Sequence, residues 1–283
     1  YDFFKNKPPE ARTQNQLNFL QKYLPLAGHT AMAVGFNGAP EKYAEKVRSL
    51  QPDLLWNVFH SFQGDGAMSY MGALLLDDIA VPYAGCSAQT QLFAANRAIT
   101  KTILKEALIP SVGHYALGDP DMTLPGRQWI LKPMSGVGEE YPIQARTVED
   151  LQKAIVLKSF LGEHYAEQHI EGRQFYTALL AQADGTPGVL ATGEILPNKT
   201  VSFQNAGDAT IRNRIQSLAL NCAKVFEIKG FAAISFIVDG SGKVYVMDID
   251  AKPLLTERSL FTQACLSGRL DPVRMLSAII RAK

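Results

Sequence analysis

Cysteine, net charge and long apolar runs are all scarce in this chain of 283 residues. Its three cysteines, Cys86, Cys222 and Cys265, lie far apart without a CxxC spacing. That pattern speaks against a disulfide framework or a zinc site and for the reduced thiols of a cytoplasmic protein. No stretch approaches the ~18 apolar residues that a membrane-spanning helix needs. The start at Tyr1 has no Met and no signal-peptide pattern, and reads as a trimmed terminus. A formal net charge of +1, with Lys and Arg dispersed, supplies no strong field to attract nucleic acid or an anionic membrane. What remains is ordinary for a globular protein of two or three packed units: 47% hydrophobic and 19% charged residues, with no repeat or low-complexity segment.

The apolar spacing predicts helices over Gln14 to Leu26, Tyr43 to Leu50 and Ala67 to Leu76, alternating with strands over His29 to Gly35 and Pro52 to Phe59. Such alternation implies a parallel sheet covered on both faces, here ending near Gly85. Beyond it the pattern gives one long helix from Thr90 to Leu108, a strand Trp129 to Pro133, and a helix from Thr147 whose first residues form a capping box. Strands Tyr165 to Ile170 and Gln174 to Ala181 follow, then a helix from Asp208 to Phe226 and a last helix from Pro272 to Ala282.

Chemistry concentrates in the expected hairpin of Gly230 to Asp239 and Lys243 to Asp250. Asp248 and Asp250 are two apart on a strand, so their side chains share a face and can meet one cation, unless they form a solvated strand end. Mg²⁺ carrying a phosphate suits such a pair, because it takes one or two carboxylates and fills its shell from water and phosphate oxygens. Lys132 ends a strand just before Met134-Ser-Gly-Val-Gly138, whose backbone N–H groups can face phosphate oxygens. The alternative for Lys132 is a plain surface lysine.

In their order and spacing these motifs resemble the ATP-grasp superfamily, and within it the D-alanine–D-alanine ligases, from about Pro52 to the C-terminus. The resemblance is carried by Val81-Pro-Tyr-Ala-Gly85 with Thr100-Lys101, by Ile130-Leu-Lys-Pro133, by Tyr165 to Phe175, and by Asp248-Ile-Asp250 with Pro253 and Ser259-Leu260. It implies a mixed α/β ATP-grasp fold: a Rossmann-like unit over residues 1–86, a central ATP-grasp unit over 87–171 and a C-terminal one over 172–283.

The resemblance also implies ATP and Mg²⁺ as cofactors. Lys132, with Ser135, Gly136 and Gly138, would meet the phosphates, joined by Arg97 where the family has a lysine; an exposed helix arginine is the other reading of Arg97. Glu167, Gln168 and Ile170 would meet the adenine edge. Gln174 would replace the ribose-binding glutamate, though Gln168 and Gln174 are also explained as polar positions of an alternating strand.

Asp248, Asp250 and Ser235 would form the metal site, with Ser235 standing where the family has a carboxylate. Ala233 replaces an arginine that faces the reaction centre, and losing one such donor typically costs ~10²–10³ in rate. His60 would line the first amino-acid site or serve as a hydrogen-bonded loop histidine. Ser259 would bind the second substrate's carboxylate or cap a helix. Glu10 is a loose counterpart of the glutamate that contacts a substrate amino group. The segment from Pro197 to Ile211 is too short for the family's closing loop, so water exclusion would fall to another element such as a partner subunit in a homodimer. The implied reaction is ATP-dependent carboxylate–amine ligation of small amino acids or other carboxylates and amines, through an acyl phosphate. The alternative is a degenerate homologue that binds nucleotide or a partner without catalysis.

Overall fold

The computed structural model describes residues 11–36, 39–61, 66–115, 128–134, 143–145, 147–158, 164–182, 184–197, 200–203 and 209–282. The N-terminal part contains α1 (Ala11–Leu26), α2 (Pro40–Ser49), β1 (Leu55–Trp56), a 3₁₀ turn (Gly66–Tyr70), α3 (Met71–Ile79) and β2 (Tyr83–Ala84). β1 and β2 pair in parallel, Leu55 opposite Tyr83. The strand expected over His29 to Gly35 is irregular chain instead. Its apolar residues do not share a buried face, and Met32 is 70% exposed, so there is no burial to offset the entropy of extending it.

The single long helix expected over Thr90 to Leu108 is two helices, α4 (Ala88–Ala95) and α5 (Arg97–Glu106). Asn96 breaks it. Its backbone is extended, at φ −100 and ψ 107, and its side chain accepts from Ile99 N at 3.1 Å. An asparagine that satisfies the first orphan donors of a new helix competes well with continuing the old one.

Next come β3 (His114–Tyr115), β4 (Trp129–Pro133), β5 (Ile143–Ala145), α6 (Val148–Lys158) and β6 (His164–Gln168). The strands form an antiparallel sheet in the order β3-β6-β4-β5. Trp129, Leu131 and Ala166 pack on Leu151 and Ala154 of α6, whose entry is capped by Thr147 accepting from Asp150 N at 3.0 Å.

The rest comprises β7 (Gly172–Ala181), β8 (Pro187–Ile195), β9 (Val201–Ser202), α7 (Ala209–Val225), β10 (Phe231–Asp239), β11 (Val244–Asp250), α8 (Leu260–Ser267) and α9 (Pro272–Arg281). The five strands are antiparallel in the order β11-β10-β7-β8-β9. This sheet is covered on both faces. One face carries Phe175, Leu179, Ile234 and Phe236 into a core with α4, α5 and α7. The other carries Tyr176, Ala178, Leu180, Phe231 and Ala233 into a core with α1, α8 and α9, which Trp56 of β1 joins at its edge. The N-terminal part is thereby packed onto the second face. It is drawn in further by Gly230, where a Cβ would lie 2.9 Å from Gly85 Cα and where φ is +66. Among the described residues, no helix is long and apolar enough to cross a membrane.

Candidate functional site

The turn between β10 and β11 is closed by Asp239, whose Oδ1 accepts from Ser241 N at 2.9 Å and Lys243 N at 3.0 Å. The resulting register sets Ser235 opposite Asp248 and Ala233 opposite Asp250, with a bulge after Ser235. Directly paired residues of an antiparallel ladder share a face, so both aspartates stand beside Ser235 and Ala233. Asp248 Oδ1 accepts from Ile249 N at 3.1 Å and Asp250 Oδ1 from Lys252 N at 3.0 Å.

One cleft takes in the two aspartates. Asp248 and Asp250 form its wall together with Arg97, His60, Arg12 and Lys252. Asp250 is reached by solvent along the cleft but is crowded by protein on its other sides, and this partial loss of water raises its pKa, with Asp248 adding to the effect. Residues from four separate stretches of chain thus converge: α1, the segment after β1, the start of α5 and the end of β11.

Lys132 and Glu167 meet nearby, on neighbouring strands of the other sheet. Lys132 Nζ pairs with Glu167 Oε2, and Tyr165 OH donates to the same oxygen at 2.9 Å. Lys101 of α5 stands 3.2 Å from Oε1 and donates to Met247 O at 2.7 Å and Val246 O at 3.1 Å. The side chains of Lys101 and Glu167 are 1% and 2% exposed, that of Lys132 19%. Burial alone would raise the Glu167 pKa, but the fields of Lys101 and Lys132 outweigh it and the carboxyl is held below its usual range. Lys101 is lowered by burial first, an effect that the Glu167 carboxylate opposes and the Lys132 ammonium reinforces. The chain Lys132, Glu167, Lys101, Met247 O therefore runs from the end of β4 to the residue before Asp248.

Arg97 joins the same strand end. Its guanidinium donates to Pro133 O at 2.8 Å and its backbone N–H to Met134 O at 2.9 Å. Ser135, Gly136 and Gly138 lie outside the described residues, as do Glu10 and much of the segment between Pro197 and Ile211. Gln168 closes β6, its N–H donating to Gly113 O at 2.8 Å; Ile170 is half-buried in the connection to β7, and Gln174 is exposed on β7. These three do not line the cleft with the aspartates. Ser259 caps α8: its hydroxyl accepts from Thr262 N and donates to Thr256 O at 3.0 Å.

His60 is 6% exposed and its Nε2 lies 2.9 Å from Gln16 Oε1. Burial, followed by the fields of Lys252 and Arg12, pulls its pKa down to about 2. The folded chain thus excludes the imidazolium that the unfolded chain forms below its ordinary pKa. Any stability linked to His60 is complete above that ordinary value and is lost as pH falls beneath it. The expected result is a His60 imidazole resonance that does not titrate between about pH 5 and pH 8; a midpoint inside that window would contradict the burial of this ring.

Lys101 and Lys252 were not distinguished in the sequence as site residues. A signal existed for Lys101, which shares the buried stripe of its helix with Thr100 and Leu104. A lysine in such a stripe needs a partner. Lys252 follows the aspartates in an irregular segment, where no periodicity reveals which side chains turn inward. It donates to Phe59 O and to Ser69 O at 3.4 Å, and burial lowers its pKa to about 7.

The residues suit the expected groups. Among the described residues no cluster of three or more His, Cys, Asp or Glu could hold a metal alone. Asp248 and Asp250, with Ser235 opposite, nevertheless suit a Mg²⁺ that completes its shell with phosphate and water. Glu167, on the strand where the resemblance expects the adenine edge, has both carboxylate oxygens engaged by lysines, Oε1 by Lys101 and Oε2 by Lys132.

A family model for the D-Ala D-Ala ligase C-terminus matches residues 198–281. The chain is 24% identical over 260 residues to a D-alanine–D-alanine ligase of Coxiella burnetii, covering 82% of this chain and 68% of that protein. It is 24% identical over 257 residues to the D-alanine–D-alanine ligase of Aquifex aeolicus, covering 83% and 84%. The solved D-alanine–D-alanine ligase of Bacillus anthracis in complex with ATP superposes with a TM-score of 0.79 at 16% identity, over 99% of this chain and 94% of that one.

Proposed function

We propose, for a chain with the ATP-grasp fold and similar to the D-alanine–D-alanine ligases, that it is an ATP-dependent ligase joining a small carboxylate to an amine, with a substrate that differs from the usual one. The observation that supports it best is the meeting of Arg97, Asp248 and Asp250 in one cleft, to which the strand end at Lys132 is tied through the Arg97 bond to Pro133 O and through Glu167 and Lys101. Bound Mg²⁺ would supply charge neutralisation on phosphate oxygens, held by Asp248 and Asp250. The chain's own residues do the rest. Lys132 and Arg97 place positive charge where phosphates would lie, and Glu167 fixes Lys132 in position. Preorganised cations of this kind stabilise developing negative charge without having to rearrange during reaction. Three buried free thiols suit a reducing compartment, the cytoplasm.

Calorimetry of ATP binding tests this. Omitting Mg²⁺ should weaken binding, and Lys132→Ala should weaken it by about 10- to 100-fold, the value of one charge-assisted contact. Affinity indifferent to both changes would remove the nucleotide reading.

The second reading, a homologue that binds nucleotide without ligation, is favoured by one specific feature. Ala233 and Ser235 stand directly across from the aspartates, so those two positions supply neither a cation nor a third carboxylate. ADP release with a panel of carboxylates and amines separates the two readings: turnover with any pair supports the ligase, and none with every pair supports the binder.

A further inference from the structure

Arg12 and Gln16 stand one helical turn apart on α1 and share a face. Gln16 is 0% exposed, and its Nε2 has no hydrogen-bond acceptor among the described residues; the buried Nε of Arg12 has none either. The Gln16 Oε1 is engaged by His60, which lines the cleft together with Arg12. Lys252 reaches the same corner, donating to the carbonyls of Phe59 and Ser69, which leaves one of its three N–H bonds over. A guanidinium and an ammonium therefore stand at one end of the cleft, with the primary amide of Gln16 behind His60, and the single carboxylate of Asp250 faces both cations. Burying donors without acceptors opposes folding, and cations brought together repel, so the corner is completed by a group that is negative and rich in acceptors.

We propose that this corner is an anion subsite, in which Arg12 and Lys252 hold a carboxylate or phosphate group of the substrate. The inference rests on the ligase reading for what happens at the other end of the cleft, and it narrows the substrate class. The acid partner carries a second anionic group, bound here, in addition to the carboxylate that reacts near Arg97 and Asp248. A substrate ammonium, which the family resemblance would place against a glutamate, meets two cations in this corner instead.

The test titrates the full chain, without nucleotide, with succinate, inorganic phosphate and D-alanine by calorimetry, alongside a separate ATP titration. Saturable binding of succinate or of phosphate, and none of D-alanine over the same range, is expected; whichever anion binds more tightly assigns the group. Arg12→Gln and Lys252→Met should each weaken that binding by at least about tenfold. Arg12, on the first turn of α1, is the variant least able to disturb the fold should Lys252→Met fail to fold. No saturable binding of either anion, equal binding by D-alanine, or unchanged binding in Arg12→Gln overturns the subsite. ATP binding without anion binding removes the subsite and leaves the nucleotide reading intact; anion binding without ATP binding does the reverse.

Discussion

Lys101→Met is expected to lower the unfolding free energy by about 3–5 kcal/mol, the usual cost of removing one partner from a buried ion pair. The loss has three parts. Glu167, 2% exposed at its side chain, would keep its charge with only Lys132 to balance it. Met247 O and Val246 O would lose their ammonium donor. The link between α5, the four-stranded sheet and β11 would be cut at the point where the cleft begins. Urea denaturation measures the effect, and a loss below about 1 kcal/mol would mean the pair is a passive contact. A second variant separates charge from packing: Lys101→Met with Glu167→Gln removes both charges, and should recover part of the loss because no uncompensated carboxylate remains.

Ala233→Arg, which would place a cation where the family resemblance expects one, is expected to cost about 3 kcal/mol or more and to raise no turnover above that of the parent chain, because overpacking alone typically costs 1–3 kcal/mol. Ala233 is 1% exposed and lies in the cluster with Tyr176, Leu255 and Phe261. A side chain six heavy atoms longer has no room there unless this face of the sheet repacks. Ser235→Asp is different, because Ser235 is only half-buried and stands across the ladder from Asp248. It should fold and, if two carboxylates limit the metal, tighten Mg²⁺-dependent ATP binding. Thermal melts and the same ATP titration check both variants. A stable, active Ala233→Arg would show that the packing around this position yields easily.

Several features were legible without coordinates because their causes are local. The pairing of Asp248 and Asp250 on one face follows from the two-residue period of a strand, and the tight turn at Gly240-Ser-Gly242 makes the hairpin. The strand ending at Lys132 and the capped helix after Thr147 were readable for the same kind of reason. Ser259 fits the cap reading by its hydrogen bonds to Thr256 and Thr262. The break at Asn96 was missed because apolar spacing continues smoothly through it; one residue's φ and ψ set the outcome, and with it the placing of Arg97 at the strand end. The strand expected at His29 to Gly35 failed in the opposite way, since alternation counts only when a neighbour covers one face.

Composition and periodicity alone settled that this chain builds a mixed helix and sheet protein, and where its two acidic groups would stand together on a strand. Only the tertiary structure decided what those acids face. It brought Arg12, 236 positions before Asp248 in the chain, into the same cleft, and turned Lys101 and Lys252 inward. The reason is physical: a local pattern says which face of an element is apolar, but the partner of a buried charge is chosen by whichever distant segment packs against it, and that is a property of the assembled core.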